Sequence, residues 1–268
     1  MIERNPITGD AVIIAPERAD RPNIDRAADA RCPFCPGHEA DTPPEIWRDG
    51  TPWNIRIFRN KYPATEHHEV IVEGADHQAP FDRLDPVVAA RVVDRYMDRY
   101  RELSRSSRYV CVFKNHGVLA GATIPHPHSQ ILGVPFLPAR IGREGEAFTP
   151  RCPLCELRDE PIETTENYRW LAPHGASMAY EQWIVPAGHE SEMRDGRELA
   201  SILQRAAREM LKIADAFNWI FINFPQQPKA HWYVQMFPRL STVAGFELGA
   251  GSAINTVDAT RARGDIRP

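Results

Sequence analysis

No run of this 268-residue sequence is apolar for long enough to cross a bilayer as a helix, so a helical membrane protein is not expected. A strong net charge is missing as well: the formal charge is −4 and the isoelectric point about 6.2. That balance supplies no general field for holding nucleic acid, while a local basic pocket for a phosphate stays compatible with it. The opening "MIERNPITGDAVIIAPERADRP" is charged at once, and its apolar run "AVIIA" is too short for a signal peptide, so a cytoplasmic location is expected. Cysteine is scarce, at five residues, and four of the five form two Cys-x-x-C pairs. Disulfides do not persist in a reducing compartment, so the pairs point to metal or redox chemistry. What remains is a composition of 43% hydrophobic and 25% charged residues, that of a globular protein with one large domain or two of ordinary size.

The chain reads as a repeat. "RCPFCPGHE" and "RCPLCELRDE" each lead with Arg-Cys-Pro; "HHEVIVEGADH" and "YEQWIVPAGH" each end an alternating, strand-like run on a histidine. A helical pattern follows in both copies. After Asp85 and Pro86, Val88, Val92, Tyr96, Tyr100 and Leu103 share one stripe, as do Leu199, Ile202, Leu203, Ala206 and Met210 in the second copy. Strand-like "YVCVFKN" and "WIFIN" come next, and each copy closes on "HPHSQ" or "HWYVQ". Cys152 follows Cys32 by 120 residues, His189 follows His77 by 112, and His231 follows His126 by 105. The order is kept, so the expected fold is α+β, a tandem duplication with antiparallel sheets and helices packed on them, the copies forming a pseudo-twofold pair. The units are expected at 1–145 and 146–268, joined by a linker in "PARIGREGEAFTP".

Cys32 and Cys35, with His77 and His126 arriving from later strands, make a tetrahedral Cys2His2 set suited to zinc. A redox dithiol is the alternative, but it gives no reason for histidines to recur in step with the cysteines. The second set is Cys152, Cys155, His189 and His231. Four protein ligands leave no open position, so both ions would be structural. If "HPHSQ" is a strand, positions 126, 128 and 130 face one side, with Pro127 pointing to an irregular or edge strand. His128 is then an imidazole left over beside a ligand: a nucleophile, a general base or a satisfied core group. Gly117 and Gly121 upstream permit close backbone approach, Asn115 and Thr123 offer polar groups, and Gln130 could donate to a phosphoryl oxygen without adding charge. The second copy has Tyr233 in place of His128, so one half would carry the chemistry.

Along nearly its whole length the sequence resembles the galactose-1-phosphate uridylyltransferase family, the transferase branch of the histidine-triad superfamily. The likeness rests on "NPITGDAVIIAPERADRP", "CPFC", "NKYPAT", "GADH", "NHGVLAGATIPHPHSQ" and "HWYVQMFPRLSTVAGFELGAGSAIN". It implies histidine-triad-like units and a nucleotidylyltransferase in which His128 attacks the α-phosphorus of a nucleoside diphosphate sugar. The nucleotide is then passed to a sugar 1-phosphate or inorganic phosphate, with ping-pong kinetics. It further implies that Gln130, Asn115, Gly121 and Thr123 surround the transferred phosphate, that Arg18 and Arg21 lie near phosphate charge, and that Asn60 and Lys61 lie beside the base and ribose. Glu247 matches a sugar-contacting glutamate, and a homodimer is implied because relatives build each active site across two subunits. Asn60-Lys61 stands where the uridine-specific members carry Asn-Asp, and "GFELGAGSAIN" lacks the glutamine expected for hexose. The first departure speaks against uracil, and the tail "GFELGAGSAIN" looks closer to ADP-sugar or dinucleotide phosphorylases. A histidine-triad hydrolase and a non-catalytic nucleotide-binding module are the other readings.

Overall fold

The half-buried alternation of the sequence pairs into strands throughout. A computed structural model of the chain describes residues 1–21, 31–193, 196–227 and 229–268. β1 (Ile2–Arg4) and β2 (Ala11–Ile13) form a small hairpin. The first copy then contributes β3 (Glu45–Arg48), β4 (Arg56–Arg59), β5 (His67–Val72), β6 (Tyr109–His116) and β7 (His128–Val134). The second contributes β8 (Glu163–Thr164), β9 (Tyr168–Leu171), β10 (Gln182–Pro186), β11 (Phe217–Ile222) and β12 (Tyr233–Pro238).

These ten strands make one antiparallel sheet in the order β3-β4-β5-β7-β6-β11-β12-β10-β9-β8. The second half of that order mirrors the first, and the copies join where β6 runs antiparallel to β11. The register locates the dyad. Ile131 of β7 pairs with Val112, while its counterpart 105 residues on, Met236, pairs with Trp219. β6 and β11 are therefore offset by 107 residues, the separation of Phe113 and Ile220, which pair directly with each other.

The α-helices among the described residues are α1 (Pro86–Ser104), α2 (Ala139–Glu146), α3 (Pro153–Glu156), α4 (Arg197–Ile213), α5 (Gly245–Ala250) and α6 (Ala259–Asp265). α1 starts where the sequence predicts: Asp85 accepts from the Val87 amide at 2.8 Å, and Pro86, which has no amide hydrogen, takes the first position. α1 and α4 pack together on one face of the sheet. Their stripe residues Val92, Tyr96, Leu199, Ile202, Leu203 and Met210 are fully buried against Ile71, Val112, Ile131, Trp219 and Phe221. Each such aliphatic side chain contributes about 1.5–3 kcal/mol by leaving water. Arg99 of α1 adds a two-bonded pair with buried Glu69 of β5, at 2.8 and 2.7 Å.

The opposite face breaks the symmetry. In the second half it is covered by a core of Ile141, Phe148, Leu154, Leu171, Val185 and Tyr233. The expected linker supplies part of that cover, because 139–146 folds as α2 and turns Ile141 and Gly145 inward. In the first half the same face carries Cys32, Phe34, Trp53, Phe58, Val70 and Val72, and it leaves a cavity that Phe34, Phe58 and Val70 help to line.

Candidate active site

Strand β7 begins at His128, two residues later than an unbroken "HPHSQ" strand would. Pro127 cannot donate to the ladder, although its carbonyl still accepts from the Glu73 amide at 3.1 Å. His126 therefore lies just outside the strand, fully buried, and His128 opens it at 8% exposure. The His128 Nδ1 lies 2.9 Å from the His126 carbonyl oxygen, so Nδ1 carries the proton and donates it there. This leaves the Nε2 lone pair free. Burial pushes the imidazole pKa down to about 4, which keeps the ring neutral near neutral pH.

His128 lines a cavity of about 560 Å³, within the usual size range of small-molecule sites. Gln130, Gly121 and Thr123 line it too, with Asn60, Lys61 and Arg21 around the rim and Phe34 and Phe58 as apolar walls. A smaller cavity of about 180 Å³ meets His128 from the side of Asn115, His116 and Gly117. The cavities bring together most of the residues that the sequence singles out. Arg18 stands one layer back, donating to the Tyr62 carbonyl at 2.5 Å and lying 3.4 Å from His68 Nδ1. Asn115 is held from the second copy by Asn218 Nδ2 at 2.8 Å. Gly117, at φ 81°, makes its close approach to the second copy, since a Cβ there would meet the Asp215 carbonyl oxygen at 2.7 Å. Glu247 lines neither cavity: it sits on α5 and accepts from the Ala244 amide at 2.7 Å.

Beneath the site lies a polar cluster with no signal in the sequence. Lys114 Nζ lies 2.5 Å from Glu73 Oε2 and donates to the His128 carbonyl at 3.1 Å. Tyr96 and Ser129 both donate to Glu73 Oε1, at 2.7 and 2.5 Å. All four side chains are 1% exposed or less. Against desolvation, the Lys114 charge and these hydrogen bonds hold the Glu73 carboxyl below the usual carboxylate range.

The two cysteine-histidine sets assemble as the spacing predicts. Cys32, Cys35, His77 and His126 bring their ligand atoms within 4.8 Å of one another, and so do Cys152, Cys155, His189 and His231. Cys35 Sγ lies 3.3 Å from His77 Nδ1 and 3.6 Å from His126 Nδ1. His126 Nε2 donates to the Gly74 carbonyl at 2.7 Å, which leaves Nδ1 as the ligand atom. Two thiols and two imidazoles converging in this way fit a divalent cation. Without one, burial pushes the Cys32 thiol up to about 11, and a bound cation would reverse that by holding a thiolate. The second set is more exposed: Cys155 and His189 lie at the surface, and only His231 is buried.

A conserved-family model described as the N-terminal domain of galactose-1-phosphate uridyl transferase matches residues 54–138, from β4 through the whole of β7. ADP-glucose phosphorylase of Arabidopsis thaliana is 29% identical, over 96% of this chain and 89% of that protein. Galactose-1-phosphate uridylyltransferase of Thermotoga maritima is 26% identical, over 98% and 96%. The crystal structure of the Arabidopsis phosphorylase with bound ADP-glucose superposes with a TM-score of 0.82 at 28% identity, covering 100% of this chain and 98% of that one. An antiparallel sheet whose two halves mirror each other, with the His128 imidazole lining a cavity on it, together with relatives named as uridylyltransferases, marks the chain as an enzyme of the nucleotidyltransferase class. Within that class, the chain matches the galactose-1-phosphate uridylyltransferase family, in its N-terminal-domain model and in relatives that carry that name.

Proposed function

We propose that the protein moves a nucleoside monophosphate from a nucleoside diphosphate sugar to a phosphate acceptor through a covalent intermediate on His128. The observation that carries this reading is the free Nε2 of His128, whose other nitrogen is fixed by the His126 carbonyl, at a cavity large enough for a nucleotide. Nε2 attacks the α-phosphorus, the bond from that phosphorus to the bridging oxygen breaks, and the sugar 1-phosphate leaves. Positive charge rises on the ring and is met by the Nδ1 donor bond to the carbonyl. Gln130 stabilises the phosphoryl oxygens, with Thr123 and the Gly121 backbone beside it. An oxygen of sugar 1-phosphate or inorganic phosphate then attacks, and the neutral imidazole returns.

The donor we favour is an ADP-sugar, with inorganic phosphate as acceptor. Likeness to an ADP-glucose phosphorylase over 96% of the chain supports it, as does the tail "GFELGAGSAIN". We further propose zinc in both cysteine-histidine sets, where it would brace the fold and take no part in the transfer. A homodimer would give Glu247, on the outward-facing α5, a place in the partner's site. Free cysteines throughout the chain accord with a cytoplasmic protein.

The test is incubation with ADP-glucose, UDP-glucose or a dinucleoside polyphosphate labelled at the α-phosphate. Label held on the protein until phosphate or a sugar phosphate is added supports the proposal. Release into water alone would make the protein a hydrolase. Absence of both, across all three donors, would leave a binding module and sink the reading.

A further inference from the structure

His68 is 2% exposed, lines neither cavity and belongs to no metal set, yet its ring sits between the 60–64 loop and Gln130. Its Nδ1 faces two donors: the Ala64 amide at 3.0 Å and the Arg18 guanidinium at 3.4 Å. A nitrogen so placed must accept, so the ring proton resides on Nε2. Nε2 in turn lies 2.9 Å from Gln130 Oε1, the acceptor it needs. Asn60 acts in the same sense. The Tyr62 amide donates to Asn60 Oδ1 at 2.9 Å, which turns Asn60 Nδ2 toward Gln130 Oε1 at 3.3 Å; Asn60 Nδ2 also lies 3.2 Å from His68 Nε2, the two nitrogens converging on the one acceptor oxygen.

We propose that His68 is a positioning residue: held in its Nε2-protonated form by Ala64 and Arg18, it pins the oxygen of Gln130 and thereby aims the Gln130 amide donor at the transferred phosphoryl group. The orientation of a glutamine amide is otherwise two-fold ambiguous, and a flipped amide would present an acceptor to phosphate oxygens. Two backbone amides of the "NKYPA" loop, at 62 and 64, thus decide which end of Gln130 faces the cavity. The second copy shows what happens without the imidazole. Gln235 is the counterpart of Gln130 and Glu181 that of His68 in the β5–β7 and β10–β12 registers. There the amide is reversed: Gln235 Nε2 donates to Glu181 at 2.6 Å and its Oε1 accepts from Arg140 at 2.8 Å. Chemistry at position 68 sets the direction of the amide.

This proposal rests on the transfer reaction, and its test has one arm that does not. Nitrogen-15 NMR of the folded protein should show His68 protonated at Nε2 and bare at Nδ1 between pH 6 and 8; the opposite tautomer overturns the proposal whether or not any donor is turned over. The second arm is a cycle in single-turnover transfer from ADP-glucose or UDP-glucose. His68→Leu should slow transfer about tenfold to a hundredfold, mainly in the rate at saturating donor and little in donor affinity, and His68→Gln, which keeps a donor near Nε2, should recover part of the loss. In a Gln130→Ala background, His68→Leu should cost little more. Equal losses in the two backgrounds would overturn the positioning role, while a parent that transfers nothing would count against the reaction itself. If His68→Leu does not fold, the tautomer and His68→Gln decide the matter.

Discussion

Lys114 reaches Glu73 inside the first half at 2.5 Å, with neither side chain more than 1% exposed, and the same ammonium holds the carbonyl of His128. A charge pair so placed is costly to break from one side. Lys114→Met leaves a buried carboxylate without its cation and should destabilise the fold by about 3–5 kcal/mol. Glu73→Gln combined with Lys114→Met removes both charges and keeps acceptors for Tyr96 and Ser129, so it should recover most of that loss. Urea unfolding of the parent and the two variants checks this; a double variant no more stable than Lys114→Met would show that the pair is not the unit.

His128→Ala should abolish nucleotide capture, because among the described residues no other imidazole lines the larger cavity. Metal content and melting temperature should stay near those of the parent. Mass spectrometry of protein quenched after exposure to the donor gives the answer directly. An adduct of unchanged yield would move the nucleophile elsewhere.

The two cysteine-histidine sets should differ in consequence. Cys32 is 7% exposed and packs with Phe34, Trp53 and Phe58, whereas Cys155 is at the surface. Cys32→Ala should reduce the metal bound per chain and lower the melting temperature markedly; Cys155→Ala should reduce it at the second set with a smaller drop. Elemental analysis alongside thermal unfolding tests both, and unchanged metal in Cys32→Ala would strike that residue from the ligands.

Stability should fall as the solution is acidified below about pH 6.5. Burial depresses His68 and His116 to about 4, so the unfolded chain takes up protons between about pH 6.5 and 4 that the folded chain refuses. Stability is therefore complete above the unfolded value and lost as pH descends toward the folded one. For His68 the loss is on the order of 3 kcal/mol over that window. Its share is the difference in slope between parent and His68→Gln in denaturation from pH 7 to 5. Carboxylates such as Glu39, held at about 2 by its bond from Trp53, enter only below about pH 4.5. Equal slopes would show that His68 takes a proton in the folded state.

Much of this architecture can be read along the chain because its signals are local or periodic. The stripe from Val92 to Leu103, the Asp85-Pro86 start and the cysteine-histidine recurrences need no knowledge of pairing. Contacts set by register were not readable in that way. His68 meets Gln130 only because β5 runs beside β7, and Lys114 finds Glu73 from a strand 41 residues away. The "PARIGREGEAFTP" stretch looks like a linker because its polar residues dominate a short window; Ile141 and Gly145, four apart on one helical face, bury it against the second half. The pairing of β6 with β11 into a single sheet is likewise a property of the assembled repeats.

The duplicated site makes a last prediction about what a nucleophile requires. Tyr233 occupies the position of His128, and the exchange Tyr233→His would restore the residue type. It should not restore the reaction. Tyr233 is 5% exposed within the apolar cluster under α2, with the Trp183 ring 4.8 Å away, so a substrate has no entry. Burial already drives its phenol pKa beyond the ordinary value near 10, a sign of how poorly the pocket supports charge. The amide that would receive a phosphoryl oxygen is committed as well, since Gln235 donates to Glu181 and accepts from Arg140. Tyr233→His should therefore carry the same single nucleotide per chain as the parent, and His128→Ala with Tyr233→His should carry none. A second adduct in the first variant, or any in the second, would mean that an imidazole at this strand position suffices without the open face, the aimed amide and the cavity that surround His128.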